Sequence, residues 1–129
     1  MASVETALYT LLSSNSGITN LVQKRIYPGI APQTARVPFI VFRLISNPPI
    51  HIMGGDATLY KPRFSIFIHA NEYDEVKTIR DAVQSAMRDV SGTYDTIVIQ
   101  HIYYEDENDS YDPTTDRFYI ILDYIIWHQ

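Results

Sequence analysis

The histidines are the side chains best suited to acid–base or metal chemistry near neutral pH, because the chain contains no cysteine. They are His51, His69, His101 and His128. No two of them have the i, i+4 spacing that holds zinc on one face of a helix. Gly54 and Gly55 lack the further glycine and lysine that a phosphate-binding loop requires. We therefore predict no catalytic residue, metal site or cofactor, and expect that the chain is not an enzyme.

A dense acidic run occupies residues 105–116, with six Asp or Glu residues and no Lys or Arg. The alternation that begins at Asp106 matches the first ligand positions of a calcium loop, but position six is Tyr111 instead of glycine and position twelve is Arg117 instead of glutamate. No calcium site is predicted. Two interpretations remain, a solvated loop or a negative surface that repels nucleic acid or meets a basic partner. The candidate surface comprises Glu105, Asp106, Glu107, Asp109 and Asp112.

The periodicity of apolar residues predicts the elements that position these side chains. Residues 3–13 and 72–90 have helical spacing. Residues 39–45, 60–69, 96–104 and 115–128 read as strands, with the acidic run as the loop of the last hairpin. The predicted fold is α+β in the order α-β-β-α-β-β, a mainly antiparallel four-stranded sheet with two helices packed on one face. At 129 residues we expect one domain, 1–129. No apolar run approaches the roughly 18 residues that span a bilayer, which predicts a soluble protein.

The last predicted strand is apolar on both sides. Its even positions, Phe118, Ile120, Leu122, Tyr124 and Ile126, form an unbroken row that we assign to the core. Its odd positions are also apolar, interrupted only by Asp123; they are Tyr119, Ile121, Ile125 and Trp127. Loops of the same chain could cover this second side. Alternatively another subunit covers it, since contiguous exposed apolar area usually marks an interaction surface.

Several short stretches of the sequence resemble a known family. They are Arg25 to Pro28 after the first helix, Val37 to Phe42, Phe64 to Ile68, and a helix that begins at Tyr73. Together with the order of elements, they resemble the tail-completion or tail-terminator proteins of long-tailed bacteriophages, the head–tail joining group. The acidic run has no counterpart in the family pattern.

The resemblance implies a structural protein of the virion. Such a protein forms a ring, commonly of six copies, that caps the tail tube, ends its polymerisation and joins it to the head connector, while DNA passes through without specific binding. It implies assembly in the host cytoplasm, a place at the head–tail interface, and no membrane. A closed ring needs two different contact patches on each copy. We assign one to Tyr119, Ile121, Ile125 and Trp127, and the other to the loop 48–58 with Ile50, Ile52 and Met53. The acidic surface would line the channel or meet a partner.

Two other classes of function remain open from the sequence. The first is a small ligand-binding or enzymatic α+β domain whose aromatic pocket comprises Tyr103, Tyr104, Tyr119 and Trp127. The second is a nucleic-acid-binding protein that uses the six basic residues of segment 24–63. The net charge of −5 and the scatter of the basic residues over loops and strands weaken the second.

Overall fold

The computed structural model of the protein describes residues 4–32, 34–47, 60–88, 90–94 and 96–128. The helices are α1 (Val4–Ser13), α2 (Ser16–Val22) and α3 (Tyr73–Met87). The strands are β1 (Ile26–Pro28), β2 (Phe39–Ser46), β3 (Arg63–Ala70), β4 (Gly92–Tyr94), β5 (Ile97–Asp112) and β6 (Arg117–His128). The two longest strands therefore follow one another at the end of the chain.

The helices form because each has an apolar stripe to bury. The stripes are Ala7, Leu8, Leu11 and Leu12 in α1, Ile18 and Val22 in α2, and Val76, Ile79, Val83 and Met87 in α3. The side chain of Asn15 caps α2 by accepting a hydrogen bond from the amide of Ile18 at 3.2 Å. Within the ranges described, none of the helices combines the length and the apolar character that crossing a membrane requires.

The strands form one sheet in the order β1-β2-β3-β6-β5-β4. Strand β1 runs parallel to β2, and every other neighbouring pair is antiparallel. The prediction of a four-stranded sheet with two helices is wrong, because the described residues form six strands in a mixed sheet and three helices. The additional elements are α2, β1 and β4, each of at most 7 residues. Strands β1 and β4 have three residues each, which is too few to show a hydrophobic period.

The sheet has two different faces. The helices pack on one of them, the helix face, and close a single core against it. The core residues of the central strands are Ile40 and Phe42, Phe64, Ile66 and Ile68, and Ile120, Leu122, Tyr124 and Ile126. These last four confirm the predicted core row of the final strand, with Phe118 partly buried beside them. The opposite face, the back face, carries the alternate residues of the same strands.

The acidic run is not the loop that we predicted. Strand β5 continues to Asp112, whose partner is Arg117 across the hairpin, and the turn comprises only residues 113–116. Asp and Asn are depleted in strands, but pairing with the strongly apolar β6 overrides that local preference. Because a strand alternates its side chains, the acidic residues are divided between the two faces of the sheet.

Candidate interaction surfaces

The back face carries apolar side chains in cross-strand rows. Val41, Phe67 and Ile121 pair across β2, β3 and β6. In the next row the imidazole of His69 stacks between two rings, with centroid distances of 4.7 Å to Phe39 and 5.3 Å to Tyr119. Such cross-strand pairs are the unit of sheet stabilisation, so this side of the sheet is ordered by its own contacts.

Basic side chains lie over the aromatic rings of the back face. The guanidinium carbon of Arg43 is 4.6 Å from the ring centroid of Phe67, and the ammonium of Lys61 is 5.7 Å from that of Trp127. Long basic side chains cover apolar surface in this way while their charges stay in water. The back face is therefore half-buried and partly cationic rather than a bare apolar sheet.

Asp123 interrupts the apolar back face, yet its charge is satisfied within the face. Its carboxylate accepts a hydrogen bond from the hydroxyl of Ser65 and pairs with the guanidinium of Arg63 at 3.3 Å. Because both partners lie on the neighbouring strand β3, they pair with Asp123 without help from a helix or a loop. A protein that packed on this face would cover an acid that is already paired, which is less costly than covering an isolated charge.

The side chain of His69 is half-buried, and its surroundings shift the pKa of its imidazole. Burial lowers the pKa of the His69 imidazole, the charge of Arg117 lowers that pKa further, and Asp112 partly opposes both. The imidazole is therefore neutral at pH 7, which suits its stacked position between the rings of Phe39 and Tyr119.

Two of the five predicted acidic residues pair with α3 on the helix face. The carboxylate of Glu107 accepts hydrogen bonds from Arg80 at 3.2 and 3.4 Å. The carboxylate of Asp109 accepts one from the hydroxyl of Tyr73 at 2.7 Å and lies 3.4 Å from the ammonium of Lys77. The hydrogen bond from Tyr73, followed by the contact with Lys77, lowers the pKa of Asp109. These two acids hold α3 against the hairpin instead of forming a free negative surface.

Among the described residues, the other three predicted acids form no salt bridge with α3. Asp106 accepts hydrogen bonds from the amide of Glu107 at 2.9 Å and from the side chain of Asn108 at 3.1 Å, and Asp112 accepts one from the amide of Thr114 at 3.0 Å. Glu105 is exposed at an irregularity in the pairing of β5 with β6. In the part of the chain that the structure describes, none of the three forms a salt bridge. Their negative charge stays available to a partner.

A cleft of about 430 Å³ opens on the helix face beside β5. It is lined by Gln84, Met87, Arg88, His101, Ile102, Tyr104 and Tyr124. The hydroxyl of Tyr124 is buried and has no hydrogen-bond partner among the described residues, and burial raises the pKa of that hydroxyl. The predicted aromatic pocket does not form, because Tyr104 lies on the helix face while Tyr103 contacts Trp127 on the back face.

The sequence reasoning missed the exposed apolar end of β2. Leu44 and Ile45 are 43% and 52% exposed, because β1 pairs with β2 only as far as Phe42. The sequence does contain an indication of this exposed end, because Leu44 and Ile45 are apolar at consecutive positions, as residues of β6 are, and one of the two faces of a strand is not always covered. The other predicted contact patch, Ile50, Ile52 and Met53, lies outside the described residues. Within the ranges described, no three His, Asp or Glu side chains cluster as a metal site would require.

Comparison with known proteins gives the family. The model of the family described as "Tail completion protein gp17" matches residues 6–129. A solved chain from "Virion of native gene transfer agent (GTA) particle" has a similar fold, with a TM-score of 0.74 and 14% identity over 98% of this chain and 94% of that one. No curated protein matches. The family match confirms the resemblance found in the sequence. Because it spans nearly the whole chain, the protein belongs to the tail completion family and is a structural protein of phage tail assembly, located in the tail of the virion.

Proposed function

We propose that this protein forms a ring on the end of the tail tube, ends polymerisation of the tube and offers a surface to the head connector. Six copies close the ring, and DNA passes through its centre without specific binding. Membership of the tail completion family supports this role. A ring closed by head-to-tail contacts also requires two unlike surfaces on each copy, and the sheet has unlike faces and unlike edges.

The back face is the surface that we expect to be covered in the assembled tail. The observation that carries this assignment is the row of Tyr119, Ile121, Ile125 and Trp127, which lies on the side of the sheet opposite the helices. These side chains are half-buried in the single chain. An apolar area of this kind, rimmed by polar and charged residues, is typical of a protein–protein contact.

The acidic residues serve two purposes in this proposal. Asp112 lies at the end of β5 and Asp116 in the turn that follows, and with Arg117 opposite Asp112 the hairpin tip carries two acids and one base and is negative. A negative channel lining repels phosphates and lets DNA slide. Glu105 and Asp106 lie farther along the strand and meet a basic partner surface instead.

Substitutions on adjacent positions of β6 test the role of the back face. Ile121→Lys should fold normally and lose binding to tail tubes, because it places a charge in the covered contact. Leu122→Lys should unfold the chain, since that side chain is fully buried on the helix face. Asn20→Lys on the exposed surface of α2 adds the same charge and should assemble normally.

Negative-stain microscopy of tail tubes mixed with each variant measures capping, and solution mass measures self-association. Mixing is essential, because a ring that forms only on its target is monomeric alone. A protein that leaves the tube ends bare and never associates would refute the ring. If Ile121→Lys still caps the tubes, the result would agree with a ring but contradict the assignment of the back face as a covered contact.

A further inference from the structure

The short outermost strands, β1 and β4, cover only part of the edges of β2 and β5. Strand β1 pairs only with residues 40–42 of β2, so that residues 43–46 have no strand partner on that side among the described residues. Strand β4 pairs only with residues 97–99 of β5, which leaves residues 100–112 open on the other side. In the ranges that the structure describes, no further strand pairs with either stretch. Unpaired edges are templates for strand addition.

The two free edges carry matching apolar side chains. On β2, Leu44 and Ile45 are 43% and 52% exposed, and on β5, Tyr103 and Tyr104 are 49% and 48% exposed. These four are among the few large apolar side chains that the described residues leave exposed. Burying them in one contact would remove them from water together.

The charges of the two edges are opposite. Arg43, on the back face of β2, forms no ion pair within the described residues, and its guanidinium lies over the ring of Phe67. Glu105 and Asp106 on β5 likewise lack a cationic partner there, whereas Glu107 is neutralised by Arg80. The cation that is left over on one edge therefore complements the anions that are left over on the other.

The free edges also lie at the same level along the strands. Leu44 pairs with Phe64, which pairs with Tyr124, which in turn pairs with Tyr104. Three antiparallel pairings separate β2 from β5, so these two strands run in opposite directions. A copy rotated about an axis along the strands would thus bring its β5 antiparallel to β2 of its neighbour without a shift. That operation generates a closed head-to-tail ring.

We infer that the outer edge of β2, residues 43–46, pairs with the outer edge of β5, residues 102–105, of the next copy. The sheet then continues from copy to copy, with Leu44 entering the cleft beside Tyr104 and Arg43 facing Glu105 and Asp106. The main chain supports this pairing. On the β1 side of β2, the amide of Ile40 donates a hydrogen bond to the carbonyl of Arg25, and the carbonyl of Phe42 accepts one from the amide of Gly29. Because every second residue of a strand directs its backbone groups to the same side, the amide of Leu44 also points to this side. This inference rests on the proposed ring and names the surfaces that close it.

Paired cysteines test this contact, since the chain has none of its own. The double variant Ile45→Cys/Glu105→Cys places one thiol on each edge at exposed positions. On tail tubes, a short bifunctional thiol reagent should convert it into a ladder of covalent multimers that ends at the closed ring. Each single variant should give no ladder, because one copy then carries a thiol on only one edge. Ile45→Cys/Thr93→Cys, with its second thiol on exposed β4, controls for random collision.

The outcomes separate this contact from the proposed ring. Rings without a ladder above the collision control would overturn the contact and leave the ring. Dimers from a single variant would show identical edges meeting, which also overturns the contact. Bare tube ends with the unmodified protein would overturn both. A charge exchange gives an independent measurement: Arg43→Glu or Asp106→Arg alone should lower ring occupancy about fivefold, and the two together should restore it. Failure of the double variant to recover would contradict the pairing.

Discussion

Replacing Tyr124 by phenylalanine should stabilise the isolated chain. The ring of Tyr124 is 2% exposed on the helix face and makes an edge-on contact with Tyr104, with centroids 5.5 Å apart. Its hydroxyl is buried and has no hydrogen-bond partner among the described residues. Phenylalanine keeps the ring and this contact but removes the unpaired polar group. The substitution therefore changes the hydroxyl alone.

The size of the effect follows from the cost of burying a hydroxyl. A buried polar group without a partner costs about 1–3 kcal/mol relative to water. The hydroxyl borders an open cleft, so the lower end applies, and we expect a gain of about 1 kcal/mol in the free energy of unfolding. For a domain of this size, that gain corresponds to a rise of roughly 4 °C in Tm.

Urea unfolding of Tyr124→Phe and the unmodified chain measures the difference, provided that both have the same dependence on urea. Tyr103→Phe is the matched control, because Tyr103 lies on the neighbouring strand but is 49% exposed, and should change stability by less than about 0.5 kcal/mol. A loss of about 1 kcal/mol or more in the free energy of unfolding of Tyr124→Phe would contradict this expectation. It would mean that the hydroxyl is hydrogen-bonded in the folded chain.

Three further substitutions test the polar contacts. Burial lowers the pKa of His69, so the folded chain resists protonation and stability should fall as pH drops below about 6.5. His69→Phe should flatten that fall in urea titrations from pH 7.5 to 5. Tyr73→Phe should raise the pKa of Asp109 towards its ordinary value, as followed by NMR of the carboxyl carbon. Glu107→Gln should cost about 0.5 kcal/mol in thermal unfolding, because it removes the ion pair with Arg80.

Each of these results has a contrary outcome. If the stability of His69→Phe falls with pH as steeply as that of the unmodified chain, groups other than His69 cause the fall. An unchanged pKa of Asp109 would mean that Lys77, rather than the phenol, lowers it. Glu105→Gln is the control, because the carboxylate of Glu105 has no salt bridge among the described residues. If both variants lost the same stability, the loss would come from the change in net charge and not from the contact of Glu107 with α3.

Elements with a long hydrophobic period were predictable from the sequence. The helical repeat of α3 and the alternation of β6 both extend over ten residues or more, and both occur in the structure. In β6 the even row, Ile120 to Ile126, is buried as expected. The odd row is only half-buried, although β6 lies between β3 and β5 in the sheet, because a central position pairs the backbone edges and covers neither face. Whether a partner covers the odd row remains a prediction.

The errors arose where pairing at a distance decides the structure. The composition of residues 105–112 is typical of a loop, and their strand conformation comes from β6, in which residues 117–123 are their partners. Strand β1 has three residues and becomes a strand only because Ile40 and its neighbours lie alongside it. No local pattern contains that information.

The acidic run illustrates how conformation changes the meaning of a charge cluster. As a loop it would be one negative surface with all its acids equivalent. As a strand it is sorted by the pleat: Glu107 and Asp109 face α3 and are paired, while Asp106 and Asp112 face the other way. The side chains of Glu107 and Asp109 contact α3 on the helix face, whereas the backbone of β5 beyond residue 99 has no strand partner on its outer edge among the described residues. The same alternation that pairs Glu107 and Asp109 with α3 leaves Asp106 without a salt bridge among the described residues, at the edge of β5 where we propose that β2 of a second copy pairs.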